Sequence, residues 1–222
     1  MWHHLYDPGY HTVSKLIYDD MQALENIGLN GMMSCQLSRA YFPTNLPMHI
    51  MAETLWDRDC DFEEKALEYY FNAFGPDGEA VMEYMKGLSE NFDPTYHRSC
   101  FKKNTALYDN EERLKRLKKC QAILASFEAT IKKNLEEDHC SAVRASWEYL
   151  VIHAEYCHTL LKPLFAVANG NIEERDILSE ELDDFIRLLP ARAHKVVDEW
   201  QLLSMAYRLT KAEVRGIMAI EY

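Results

Sequence analysis

Glycine and proline are scarce in this chain, eight and seven in 222 residues. So little turn material favours helix over sheet. No apolar run approaches the roughly 20 residues that a membrane-spanning helix needs. The opening Met1-Trp2-His3-His4-Leu5-Tyr6 lacks the basic head and apolar middle of a signal peptide. Six cysteines are scattered singly, with no C-x-x-C pair among them. They read as small buried thiols in a reducing, cytoplasmic compartment rather than as disulfides or metal ligands. A Gly-rich phosphate loop, a Walker sequence and a G-x-S-x-G elbow are all missing. Positive charge is short as well: 24 Lys and Arg against 36 Asp and Glu leave a formal charge of -12. That balance speaks against nucleic acid and against anionic membrane surfaces, both of which require clustered cations.

What is present is a chain 48% apolar, enough for a proper core. The apolar residues recur mostly at helical spacing. A helix is expected over 12–26, with Val13, Leu16, Ile17, Met21, Leu24 and Ile27 on one stripe and Gly28 as its left-handed end. Asn45, with Pro47 in the first turn, opens a helix running to Trp56. Asp61 and Glu64 make a capping box for a helix over 62–74. Gly75-Pro76-Asp77-Gly78 breaks the chain before a helix over 79–90. Residues 91–109 are irregular in pattern and mark the best domain boundary. Four long helices follow, one carrying Pro163 as an expected kink, and short loops between them predict an up-and-down bundle. Thr210 and Glu213 form a last capping box before a short terminal helix.

One stretch departs from this pattern. Gly28-Leu29-Asn30-Gly31-Met32-Met33-Ser34-Cys35-Gln36 reads as a strand apolar on both faces, the signature of a buried parallel strand. A lone strand cannot pair its own backbone groups. The order helix, buried strand, helix suggests a βα unit of an α/β fold.

Three segments together carry a resemblance: residues 28–36, residues 45–56 (NLPMHIMAETLW) and residues 69–76 (YYFNAFGP). They resemble the C-terminal part of a family of large uncharacterised bacterial proteins related to glycoside hydrolases, a domain of unknown function in which a (β/α)8 barrel runs into a helical region. The resemblance covers residues 1–90 and implies that 29–36 is the last barrel strand, with residues 2–4 ending the strand before it. Sites of such barrels lie at the C-terminal strand ends. The rim so implied is His4, Tyr6, Gln36, Arg39 and Tyr41, aromatic faces and fork-like donors of the kind that bind glycans. Glycoside hydrolysis usually needs two carboxylates. Only Asp7 lies near this rim, in an Asp-Pro-Gly turn that turn formation alone explains. No catalytic residue is therefore assigned, and no cofactor.

Three further constellations bear on chemistry. Glu136/His139 and Glu155/His158 have the Glu-x-x-His spacing of di-iron bundles, yet an antiparallel hairpin would hold the pairs roughly 18 Å apart, against the ~4 Å of a bridged metal pair. His153 and Cys157, one turn apart, could supply two zinc ligands, but no matching second pair is evident. Cys35 lacks a fixed base and reads as a buried thiol rather than a nucleophile.

The expectation is a mainly α chain: 1–60 the last βα units of a (β/α)8-type barrel, 61–104 helices packing on it with an irregular linker, 105–222 a helical bundle. The function it implies is the non-catalytic C-terminal portion of a glycoside-hydrolase-like protein, with a glycan as ligand and self-association through the exposed N-terminal segment. The alternative is a stand-alone helical protein–protein interaction module without enzymatic activity.

Overall fold

The computed structural model describes residues 4–33, 39, 42–92 and 110–211. The chain is mainly helical, and among the described residues no strand occurs. A single 3-10 turn, His4–Tyr6, leads into α1 (His11–Ala23), a second 3-10 turn (Glu25–Ile27), α2 (Leu46–Trp56), α3 (Phe62–Phe74) and α4 (Gly78–Phe92). The long helices are α5 (Asn110–Glu136), α6 (Ser141–Ala168) and α7 (Ile172–Leu188), followed by the one-turn α8 (Pro190–Ala193) and by α9 (Glu199–Thr210).

Local chemistry accounts for most of these boundaries. Asp61 Oδ1 accepts the Glu64 N–H at 2.9 Å and starts α3. Asn171 does the same for α7 through the Glu174 N–H, at 3.2 Å, and Asp198 for α9 through the Gln201 N–H, at 3.1 Å. Gly28 ends the α1 segment at φ 79°, a left-handed position that costs a residue without Cβ nothing. Asn45 stands at the N-cap of α2 but makes no side-chain capping bond. Pro163 is buried inside α6, which runs on past it to Ala168.

The expected strand is where the structure departs from the sequence reading. Residues 29–33 carry no regular structure and are exposed, Met33 to 99%. Residues 34–36 lie outside the described residues. Two apolar methionines in sequence look like a strand buried on both faces, but no strand among the described residues pairs with this backbone, so the segment takes the form of a connection. The preceding strand end expected at 2–4 is, from His4 onward, a 3-10 turn. The terminal capping box from Thr210 falls at the end of α9, where Lys211 takes a left-handed conformation at φ 57°; residues beyond 211 lie outside the described set.

One continuous core runs from Tyr6 to Leu209. The α5–α6–α7 helices pack in sequence, with α9 closing against α7, joined by connections at 137–140 and 169–171. Lys162 of α6 meets Glu181 of α7 at 3.1 Å across the second connection, as antiparallel neighbours should. On the other side α4 lies on α5 and α3 on α6. Trp147, fully buried, is the joint: its indole N–H donates to Phe74 O at 3.2 Å and its ring meets Phe74 edge-on at 5.2 Å. Tyr84 and Phe127 stack at 4.4 Å between α4 and α5. The α1–α2 pair forms an outer layer with a small cluster of its own, Val13, Ile17 and Met21 with Met48 and Met51.

Close backbone approach makes Gly78 sensitive to substitution and leaves Gly31 tolerant. A Cβ on Gly78 would lie 2.5 Å from Tyr70 O, within the α3–α4 corner, whereas a Cβ on Gly31 would meet nothing within 4 Å. Gly78→Ala should therefore lower unfolding stability by about 2–3 kcal/mol, while Gly31→Ala stays within about 0.5 kcal/mol. Urea denaturation of both variants checks this; equal midpoints would show that the corner opens without cost.

Candidate functional site

The densest polar constellation surrounds the Asp7-Pro8-Gly9 turn, and each of its three residues is fixed by a different contact. Asp7 is completely buried. Its Oδ1 accepts the Gly9 N–H at 3.1 Å, and its Oδ2 accepts the Val13 N–H at 3.1 Å and the Ser89 hydroxyl at 2.6 Å. Ser89 Oγ in turn accepts the Thr12 N–H at 2.8 Å. The N–H groups of Thr12 and Val13 are two of the orphan donors that open α1. They are thus capped not by a neighbour in sequence at Tyr10, which makes no side-chain cap, but by Asp7 and by a serine from α4. Pro8 O receives a hydrogen bond from His153 on α6 at 2.7 Å. Gly9 presses on the backbone of α4, where a Cβ would lie 2.1 Å from Met85 O and 2.3 Å from Ser89 N.

The electrostatics of this centre favour neutral groups. Burial pushes the Asp7 carboxyl above its ordinary value of 3.8, outweighing the Ser89 and backbone hydrogen bonds that pull it down. His153 is lowered from 6.5 to about 4 by burial. Because a carbonyl only accepts, the His153 Nε2 must carry the proton that reaches Pro8 O. Cys157 Sγ lies 3.4 Å from that nitrogen, but burial raises its thiol well above the ordinary value. A high-pKa thiol beside an imidazole whose Nε2 is committed to a carbonyl is not an activated nucleophile. Cys120 is likewise pushed up to about 12 by burial. The hydroxyls of Tyr84 and Tyr156 lie in the same core without a hydrogen-bond partner.

The sequence-predicted rim is distributed differently. Tyr6 is buried, and its hydroxyl accepts from Arg208 Nη1 at 3.3 Å, near the end of α9. Arg39, exposed and at φ 83°, faces Asp198 at 3.9 Å, at the start of α9. Their anchors are ten residues apart on one helix, about 15 Å. His4 opens the first 3-10 turn; Gln36 and Tyr41 lie outside the described residues, as does Cys35. The two Glu-x-x-His pairs do not converge. Glu155 meets Arg192 (Nη2 to Oε1 3.3 Å), His158 lies 3.6 Å from Glu128, and His139 lies 3.9 Å from Glu137. Among the described residues no three His, Cys, Asp or Glu side chains group as a metal site.

A second feature lies on the outer layer. The α1 stripe read from the sequence is wider than the fold covers: Val13, Ile17 and Met21 are buried, but Leu16 and Ile27 are 51% and 67% exposed. On α2, Leu46, Ile50 and Thr54 face inward, while Ala52, Leu55 and Trp56 face out, Trp56 to 91%. The ends of α1 and α2 are tied together. Arg58 Nη2 donates to Gln22 O at 3.2 Å and pairs with Glu25, and the Gln22 amide returns a bond to Arg58 O. The exposed Ile27, Leu55 and Trp56 therefore lie at the end of the pair that these bonds tie.

No family model, curated protein or solved structure matches this chain. Among the described residues no helix is long and apolar enough to cross a membrane.

Two outcomes follow for the buried centre. Ser89→Ala strips one partner from Asp7 and one from the Thr12 N–H, and should cost about 2–3 kcal/mol of unfolding stability; a loss under about 0.5 kcal/mol in urea denaturation would contradict the cap. His153 binds its proton less tightly in the fold than in the unfolded chain. Its contribution is therefore complete above about pH 6.5 and is lost as pH falls toward 4. Across that window the native chain should lose about 3 kcal/mol more than His153→Gln. Asp7 acts with the opposite sign, since its raised value makes the fold bind the proton more tightly, so only the difference between the two proteins isolates the histidine.

Proposed function

We propose that this chain is a helical protein-interaction module that performs no chemistry of its own. The observation that carries the reading is Trp56, 91% exposed at the end of a helix that is apolar on nearly every face. A surface helix in a chain with no partner turns charge outward. α2 holds one charged residue, Glu53, in eleven. Scattered apolar residues on a surface are ordinary, but Ala52, Leu55 and Trp56 sit at helical spacing beside the exposed Ile27. The buried polar residues support the same reading from the other direction. Asp7, Ser89 and His153 are each committed to backbone groups, which makes them parts of the framework. The barrel-end and carbohydrate-binding reading has the resemblance of residues 28–36, 45–56 and 69–76 as its support, and no geometric observation favours it over the module.

Photo-crosslinking from position 56 in the cells that make the protein tests the proposal. A discrete protein adduct is expected, absent when Leu55→Glu is added, and not produced by a crosslinker at the exposed Glu128 of α5. The same smear from both positions would overturn it.

A further inference from the structure

The chemistry around the apolar end of α1 and α2 restricts what can dock there. Between Asp57 and Glu64, directly after Trp56, five carboxylates are exposed: Asp57, Asp59, Asp61, Glu63 and Glu64. The one cation in that run, Arg58, is paired with Glu25. On α1 the exposed Asp19 is paired with Lys15. The whole chain carries -12, so this is an acidic margin on an acidic protein, and it borders an apolar strip. The strip has helical spacing: Met48, Met51, Ala52, Leu55 and Trp56 stand at i, i+3, i+4, i+7 and i+8 along α2. Met48 and Met51 are half-buried against Val13, Ile17 and Met21, so the inner wall of the strip is rich in methionine, whose unbranched side chain repacks readily around an incoming surface.

Resting on the interaction-module reading, we propose that the α1–α2 end binds an amphipathic helix of a partner protein, apolar on one face and flanked by Lys and Arg. The bound helix lays its apolar face along Leu55, Trp56 and Ile27, and its cations reach the carboxylates that follow α2. Recognition of this type places an apolar helix face in a groove and reads flanking charge for specificity. A second copy of this chain fits poorly, because its own margin is acidic and like charges would oppose across the interface. An anionic lipid surface is opposed for the same reason. A basic helix meets the apolar and the electrostatic demand together. Trp56 is its anchor, since a large exposed indole beside Leu55 at the end of the strip has the makings of a hot spot.

The test uses the full chain and two dye-labelled synthetic helices, one of Leu and Lys at amphipathic spacing and its counterpart with Glu in place of Lys. Fluorescence anisotropy should show saturable binding of the Lys helix and at least about tenfold weaker binding of the Glu helix. Trp56→Ala should weaken the Lys helix by about 30-fold with an unchanged unfolding midpoint. The pair Asp59→Lys and Glu63→Lys should weaken the Lys helix and strengthen the Glu helix, and added salt should narrow the difference between them. Equal affinity for the two helices, or binding insensitive to Trp56→Ala, overturns the proposal. Self-association of the chain in sedimentation that is abolished by Trp56→Ala also overturns it, in favour of a dimer. If neither helix binds while the crosslink from position 56 persists, the basic helix is rejected and the interaction module stands. If the adduct is missing too, both fall.

Discussion

A fully buried carboxylate is tolerable only when its lone pairs are met, and the placement of Asp7 organises the fold around that requirement. Its donors come from three places: its own turn, the first turn of α1, and Ser89 on α4. The carboxylate in turn meets the Gly9 and Val13 N–H groups, while the Ser89 hydroxyl is shared with the Thr12 hydroxyl at 2.8 Å. The α1 N-terminus has no local cap, and Ser89 sits in the apolar stripe of α4 among Met85, Leu88 and Phe92. The arrangement is thus reciprocal. The positive end of the α1 dipole also favours negative charge at this spot, though burial still raises the carboxyl above its ordinary value. Because Pro8 O is held by His153 and Gly9 by the α4 backbone, the same three residues pin α1 to α4 and to α6. A turn near the start of the chain thereby becomes a contact of very long sequence separation.

That centre was poorly legible in the sequence, and the reason is physical. Asp-Pro-Gly is sufficient to form a turn in isolation, so nothing in those three residues announces a buried role. The clue lay elsewhere, in polar residues at positions that helical spacing assigns to a core: Ser89 on α4, His153 and Cys157 on α6. Helices were far easier. The α3 boundaries follow from Asp61, Glu64 and the Gly75 break, all local signals, and the structure places the helix at Phe62–Phe74. The α6 helix passes through Pro163 because packing on both sides outweighs one missing backbone bond. The segment 29–33 misled for the opposite reason. Periodicity reports what a side chain can bury against, not whether a partner exists, and a short apolar run cannot tell a buried strand from an exposed connection.

The same ambiguity gives the outer layer its meaning. On α1 the apolar stripe includes Leu16 and Ile27 because the pattern is that of a helix covered along its full length, yet the fold covers only Val13, Ile17 and Met21. On α2 a second apolar strip survives beyond the one that packs inward. Ile27, Leu55 and Trp56 lie at the end of the pair that Arg58 ties to Gln22 and Glu25. A sequence selected only to fold gains nothing from an indole 91% in water. Framework and surface therefore divide the chemistry between them. The polar residues that resemble a catalytic set are consumed inside, holding backbone, while the residues exposed at the end of α2 and just after it are apolar and acidic.

This division also bears on why the core tolerates unpartnered polar atoms. The Tyr84 and Tyr156 hydroxyls have no hydrogen-bond partner, and both are buried. Each costs stability unless met. Aromatic rings contribute what these hydroxyls forfeit: Tyr84 stacks on Phe127 and Tyr70 lies against Phe74, which in turn meets Trp147. The aromatic chain from α3 through α6 is thus the apolar counterpart of the Asp7 cap. It joins α3 to α6 and α4 to α5 by area, where the cap joins α1 to α4 and α6 by direction, and direction sets how α1 is held on the fold.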